Sequence, residues 1–471
     1  MGGDRSGTAQ SSAEQLAQNN TGDINTVARR WERPMNDGNA AARARALRAG
    51  AIGNVVEWYD FALYGFFATA IAASFFPKSH PTSALLSTFA IFGVSFLLRP
   101  LGAIVFGHLG DRVGRRSALL VSVLLMSAGT VVMGLLPSYA QIGVAAPLLL
   151  VLCRLVQGFS AGGEFAGSTI LVIEHTPPGR RGRYASLTGI SVTLGTASGA
   201  LVSMVMASTT TPEQLASWAW RVPFVAAAPL ALVGLYLRLR VDESPVFTAL
   251  QAEGHIESMP VVQALKVAKK PMLILIGLVM TQSVAYFVMS TFLVSYLVTT
   301  AGFSNADSLF VQLVLQLLLI VGSLLAGRAI DRIGRKPIAV ASALCLGAWA
   351  IPAFALLKHS TVLESCLVVG VFGLAYSGIS TTSILALAEL FPARVRTSAS
   401  ALAYQLASAV FGGSAPYVAT WLVGHGHFLA PGYYIAGLSA VSAVVAAIGI
   451  GNRPKANARL DPRTQVEAGW V

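Results

Sequence analysis

"GHLGDRVGRR", residues 107–116, and "GRAIDRIGRK", residues 327–336, are one pattern written twice. Gly107, Asp111, Arg112, Gly114, Arg115 and Arg116 recur as Gly327, Asp331, Arg332, Gly334, Arg335 and Lys336. A second echo joins "EHTPPGRR" from Glu174 to "ELFPARVR" from Glu389. Agreement at two matching places reads as an internal duplication, the build of a transporter with its binding site between the repeats. The glycines allow close helix packing and a tight turn. Asp111 and Asp331 are placed to hold the N-terminus of a neighbouring helix or an arginine. Such a charge clasp closes one conformation and breaks in the other; the plainer reading leaves the basic residues only to fix topology.

Outward from these loops the chain is apolar. Of 471 residues 54% are hydrophobic and only 11% charged, with a mean hydropathy of +0.65. Soluble domains carry roughly 25% charged residues. So depleted a chain implies an integral membrane protein whose first partner is the lipid bilayer. Cys153, Cys345 and Cys366 lie in apolar runs without metal or redox spacing and read as core residues.

A membrane-crossing helix needs about 20 apolar residues. Such runs lie at about 48–76, 84–107, 117–136, 144–173, 183–207 and 220–239, then at about 271–299, 308–327, 337–357, 361–391, 397–423 and 431–451. The expected fold is therefore an all-α membrane protein of twelve helices in two six-helix repeats. The expected domains are an N-tail (1–46) without apolar block, an N-terminal bundle (47–240), a polar central loop (241–270), a C-terminal bundle (271–451) and a C-tail (452–471). The N-tail is neither signal peptide nor span and reads as disordered.

Lys and Arg concentrate in the tails and the loops after even-numbered helices, leaving Lys78, Arg221 and Lys358 on the opposite side. By the positive-inside rule both termini are cytoplasmic, in an inner or plasma membrane. The net charge of +12 is thus topological, and a nucleic-acid partner is unnecessary.

The loop pattern resembles the signature of the major facilitator superfamily. "GNVVEWYDFALYG" (53–65), "RPLGAIVFGHLGDRVGRR" from Arg99, "RLVQGFSAGGEFAG" from Arg154 and "DESPVF" from Asp242 together resemble its metabolite–proton symporters. That branch includes carriers of α-ketoglutarate, citrate, shikimate, and proline or betaine. The resemblance covers about residues 48–451 and leaves out the N-tail. It implies alternating access, and it ties the first-helix acid and the fourth-helix arginine to coupling and substrate binding.

Charge inside the spans is unequal between the halves. The first half holds Glu57, Asp60, Arg99, Arg154 and Glu164; the second offers neutral groups, among them Gln282, Tyr286, Gln312, Gln316, Tyr376, Ser377, Thr381 and Gln405. Charges inside a membrane usually mark ion or substrate paths, although a static ion-pair network would need the same residues. Asp60, Glu57 and Glu164 are the candidates for proton coupling, with Glu57 the partner of Arg99. The candidates for substrate binding are Arg154, Arg99, Gln157, Tyr64, Gln282, Tyr286, Tyr376 and Gln405. Trp218, Trp220, Tyr433 and Tyr434 fall at helix ends and read as interfacial anchors.

The chain has no Gly-Lys dipeptide and so no Walker P-loop; it has no HExxH pair, and all seven histidines lie in loops or at helix ends. An enzyme is not expected, nor any cofactor or metal beyond the proton as coupling ion. The expected function is proton-coupled uptake of a small carboxylate-bearing metabolite, an organic acid, by a monomer. The alternatives are a symporter of zwitterionic proline or betaine, a drug–proton antiporter, and a membrane sensor on a transporter scaffold. "GISVTLGTASGALV" from Gly189 lacks the glycine–proline pair typical of the antiporters.

Overall fold

The structure, a computed structural model, describes residues 37–77, 81–112, 115–174, 176, 179–239, 265–391 and 396–451. The 1–36 tail, most of the central loop and the C-tail lie outside the described residues. So do Gly114 and the surroundings of Gly107, Asp111, Arg112, Arg115 and Arg116 in the first copy of the loop pattern.

The apolar runs form twelve helices, several broken once by a bend. In the first half α1 is Asp37–Phe66 continued by Ala68–Phe75, α2 is Pro81–Leu97 with Arg99–Arg112, and α3 is Arg115–Leu135. Next come α4 (Ala145–Ala161 with Glu164–Glu174), α5 (Arg181–Thr209) and α6 (Arg221–Val225 with Ala227–Leu239). In the second half α7 is Lys269–Phe287 running through a π turn, Val288–Phe292, into Leu293–Thr299. Then follow α8 (Asn305–Ile333), α9 (Arg335–Leu357) and α10 (Val362–Glu389). The last two are α11 (Arg396–Ala407, the π turn Ser408–Gly412 and Ala415–Gly424) and α12 (Ala430–Gly449). Among the described residues nine helices are long and apolar enough to cross a membrane by length and composition, and Leu120–Leu135 is a shorter apolar one. α1 begins at Asp37, within the segment expected to be a structureless tail.

Local chemistry sets several ends. The Ser304 hydroxyl accepts the Asp307 N–H at the start of α8, and Thr361 and Glu364 form a reciprocal capping box at the start of α10. In α2 and α4 small residues decide the packing. A Cβ on Gly158 would collide with the Ser95 carbonyl, and one on Gly162 with the Arg99 carbonyl. The two backbones therefore touch directly, as close-packed membrane helices do.

The halves meet along α5 and α8 on one side and along α2 and α11 on the other. Gly182 lies against Gly327, and Gly93 against the Gly413 carbonyl. Far from the basic loops, Ala62, Phe66, Ala200, Val294 and Leu309 form a packed cluster. One anchor expectation is corrected. Trp220 is fully buried, its Nε1 donating to the Ser74 hydroxyl at 3.0 Å, because its ring fills the space between α1 and α6 instead of reaching headgroups. Trp218 is half exposed.

Candidate functional site

The site consists of three parts: a polar relay inside the first half, a cavity between the halves, and a clasp at the basic end.

The relay runs from α1 to α4. The Gln157 Nε2 donates to Asp60 Oδ2 at 2.8 Å and to Thr130 Oγ1 at 2.9 Å. Its Oε1 accepts from Arg154 Nη1 at 2.9 Å, while Arg154 Nη2 donates to the Ser95 hydroxyl at 3.2 Å. Asp60 and Arg154 thus do not meet; Gln157 stands between them. Their i, i+3 spacing puts Arg154 and Gln157 on one face of α4. The Arg154 guanidinium lies 4.4 Å from the Tyr64 ring centre and 4.9 Å from that of Phe61, so aromatic faces replace a counter-ion. The Tyr64 hydroxyl is itself occupied, donating to the Thr88 carbonyl at 2.9 Å.

Glu57 and Arg99 face each other as expected, although at 3.9 Å, and the guanidinium lies 4.1 Å from the Phe96 ring centre. Glu164 Oε2 accepts from the Ser122 hydroxyl at 3.5 Å, apart from both pairs. Glu57, Asp60, Arg99, Arg154 and Gln157 are all at most 2% exposed.

Between the halves lies a cavity of about 480 Å³, counted with the space continuous with solvent. It extends from mid-depth toward the basic end. Its aromatic walls are Trp58, Phe165, Tyr286, Phe287, Tyr376 and Tyr404, and its polar groups include Thr193, Gln282, Ser283, Ser323 and Ser380. Among the described residues no charged side chain lines it. The Tyr286 hydroxyl is 2.6 Å from the Thr196 hydroxyl, a bond from α7 to α5. Trp58 stacks on Phe287 at 6.0 Å and meets Tyr286 edge-on at 5.3 Å.

Of the substrate-binding candidates, Gln282, Tyr286 and Tyr376 therefore line the cavity. Arg154, Arg99, Gln157, Tyr64 and Gln405 do not. The first four are held within the first half by the partners just named. Gln405 is used as a strap, its Nε2 donating to the Gly162 carbonyl at 2.7 Å from α11 to α4. Sequence reasoning missed Trp58, Phe165, Phe287 and Tyr404. Trp58 carried a usable signal, since it lies between Glu57 and Asp60 on the helix already singled out.

The clasp is present in the second copy of the loop pattern. Asp331 accepts the Gly182 N–H at 2.7 Å and the Arg183 N–H at 3.2 Å, and lies 3.6 Å from Arg183 Nε. It caps the N-terminus of α5, where the helix dipole favours an anion. Beside it Glu389 takes Arg181 at 3.0 Å and pairs with Arg335. Both echoes of the duplication thus meet at one inter-half junction. Arg332 and Lys336 stand at half-exposed or exposed positions beside it. Asp331→Asn keeps the shape but loses the charge. It should raise severalfold the rate at which a thiol reagent added at the basic end labels Ser323→Cys, in a chain lacking its three native cysteines. Unchanged labelling would leave Asp331 as a topological fixture.

Comparisons with known proteins agree with this architecture. The Major Facilitator Superfamily model matches residues 50–415 and 311–471. The proline/betaine transporter of Salmonella typhimurium is 33% identical over 438 residues, covering 89% of this chain and 85% of the relative. A glycine betaine/proline/ectoine/pipecolic acid transporter of Dickeya dadantii is 34% identical over 409 residues, covering 83% and 80%. Among solved structures, the xylose transporter of E. coli in a partially occluded inward-open conformation superposes with a TM-score of 0.70. That match has 18% identity and covers 86% of this chain and 97% of that one; at such identity it speaks for the fold alone. The protein is a secondary transporter and not an enzyme. By the extent of the family match and the identity to these relatives, the chain belongs to the major facilitator superfamily.

Proposed function

We propose that this transporter carries a small zwitterion of the proline or betaine kind, coupled to protons. This replaces the organic acid expected from the sequence. One observation carries the reading: among the described residues six aromatic rings and no basic side chain line the cavity between the halves. Ring faces attract a quaternary or secondary ammonium, at about 0.5–2 kcal/mol per well-placed contact. A di- or tricarboxylate would need a cation there. Arg154 is fully buried behind Gln157, Ser95 and its flanking rings, and Arg99 is turned to Glu57. The named cargo of the two similar transporters supports the same choice.

Coupling is assigned to Asp60, which sits two residues from the cavity-lining Trp58 on α1. Its Oδ1 has no hydrogen-bond donor, so that oxygen is the place for a proton to load. Glu57 is the standing partner of Arg99 and Glu164 the reserve acid. The basic end, with both chain termini, faces the cytoplasm of a cell whose inner or plasma membrane holds the protein as a monomer.

Thermal-shift titration of the purified chain tests the substrate class. Glycine betaine and proline should raise the melting temperature at millimolar concentration, and citrate and α-ketoglutarate should not. Tyr376→Leu should erase most of the shift by glycine betaine. Stabilisation by the organic acids alone would restore the reading that is replaced here.

A further inference from the structure

α8 carries two glutamines that none of the assignments above uses. Gln312 and Gln316 are both fully buried. None of their four side-chain amide atoms has a hydrogen-bond partner in the protein. Leaving one buried polar group unsatisfied ordinarily costs folding stability, and native proteins leave few so. Two adjacent carboxamides in this state, one helical turn apart, point to a ligand that satisfies them at some stage of the transport cycle.

Their position says which ligand. Gln312, Gln316, Leu319 and Ser323 follow spacings of four, three and four and form one stripe along α8. Leu319 and Ser323 line the aromatic cavity. The stripe therefore continues past the cavity toward the end away from the basic loops, with the two glutamines packed beyond its lining in this conformation. A second, water-sized void adjoins it, sharing Tyr286, Leu319 and Tyr376 with the first and adding Ser290 and Leu315. The Ser290 hydroxyl is buried and also without a partner. Gln316 is one turn from Leu319, which places their Cβ atoms about 5–6 Å apart. A small zwitterion with its ammonium against Tyr286 and Tyr376 would reach this stripe with its other end once the halves move apart around it.

We propose that Gln312 and Gln316, with Ser290, receive the carboxylate of the transported zwitterion while the aromatic wall holds its ammonium. The amide N–H groups and the hydroxyl donate; no cation is required, which fits a cavity without one. This assignment rests on the zwitterion reading and names where the negative end goes. It also separates a zwitterion from a bare ammonium, because only the former accepts from the two amide N–H groups.

The test compares glycine betaine with tetramethylammonium, which has the same cationic head and no carboxylate, on the purified full chain. Wild type should bind glycine betaine more tightly than tetramethylammonium. In Gln312→Met/Gln316→Met, glycine betaine should bind about tenfold more weakly or worse, the effect of one lost hydrogen bond to a charged group. Tetramethylammonium affinity should not move, so the ratio collapses. The unliganded variant should melt no lower than wild type, since methionine removes the unsatisfied amides. Each single variant carries the same test with a smaller shift. An unaltered ratio in a folded variant would overturn the assignment and leave the amides merely hydrated. Failure of all three variants to fold would also overturn it, by showing that the amides hold packing. If wild type binds neither probe, the zwitterion reading itself falls, and this assignment with it.

Discussion

Asp60→Asn should abolish the accumulation of substrate driven by a pH gradient while sparing exchange of internal for external substrate. Asparagine keeps the acceptor that Gln157 Nε2 uses at 2.8 Å, so the relay and the fold should persist. What it removes is the group able to gain and lose a proton. Net uptake with a proton requires that cycle; exchange returns through the loaded state and moves no net charge. The expected result in liposomes is loss of concentrative uptake by about two orders of magnitude, with exchange reduced only severalfold. Uptake against the gradient at acidic external pH, undiminished in Asp60→Asn, would pass the role to another acid, Glu164 first.

The second large effect is expected at Arg154, and it falls on folding before binding. Arg154→Leu removes the donor to Gln157 and to Ser95 and takes the neighbouring positive charge away from buried Asp60. Removing one partner from a buried charged network costs about 3–5 kcal/mol, enough to empty the folded state of many domains. Little folded protein should be recovered from membranes. Asp60→Asn in the same chain should return much of it, because the stranded charge is then gone; the double-mutant cycle measures the coupling. Arg154→Lys should be intermediate, keeping charge but losing the two-point fork and the flat stacking on Tyr64. A well-folded Arg154→Leu with weakened substrate affinity would instead put the arginine on the substrate.

Much of this is legible in the sequence. Twelve apolar runs and a doubled loop lead to a two-repeat bundle because a bilayer accepts few other solutions. Interior charges are rare enough that Glu57, Asp60, Arg99 and Arg154 stand out, and Glu57 is already paired with Arg99. The arrangement around Arg154 was not legible. A sequence places Gln157 on the correct face, yet it does not say that the amide stands between the two charges and keeps the guanidinium off the cavity. Aromatic residues were harder still. A tryptophan in a membrane helix serves packing, interface or ligand with the same spacing. Trp220 was thus read as an anchor when it is core, and Trp58 was passed over when it walls the cavity. The choice between organic acid and zwitterion turned on those rings.

The bare contact of α2 with α4 at Gly158 and Gly162 has a consequence for energy transduction. Ser95 and Arg99 ride on one of these helices, Arg154 and Gln157 on the other, and at the two glycines no side chain separates the backbones. α2 and α4 thus move as one block, which fixes Arg154 and Gln157 relative to Ser95 and Arg99. A proton site inside such a block has no internal means of changing its affinity from one side of the membrane to the other. The change has to be delivered from outside the block, by water admitted on one face or by the second half pressing Tyr286 and Phe287 against Trp58. If Asp60 carries the proton as proposed, the duplicated chain divides its labour: one repeat holds the proton, and the other, by approaching or withdrawing, sets the terms on which it is released.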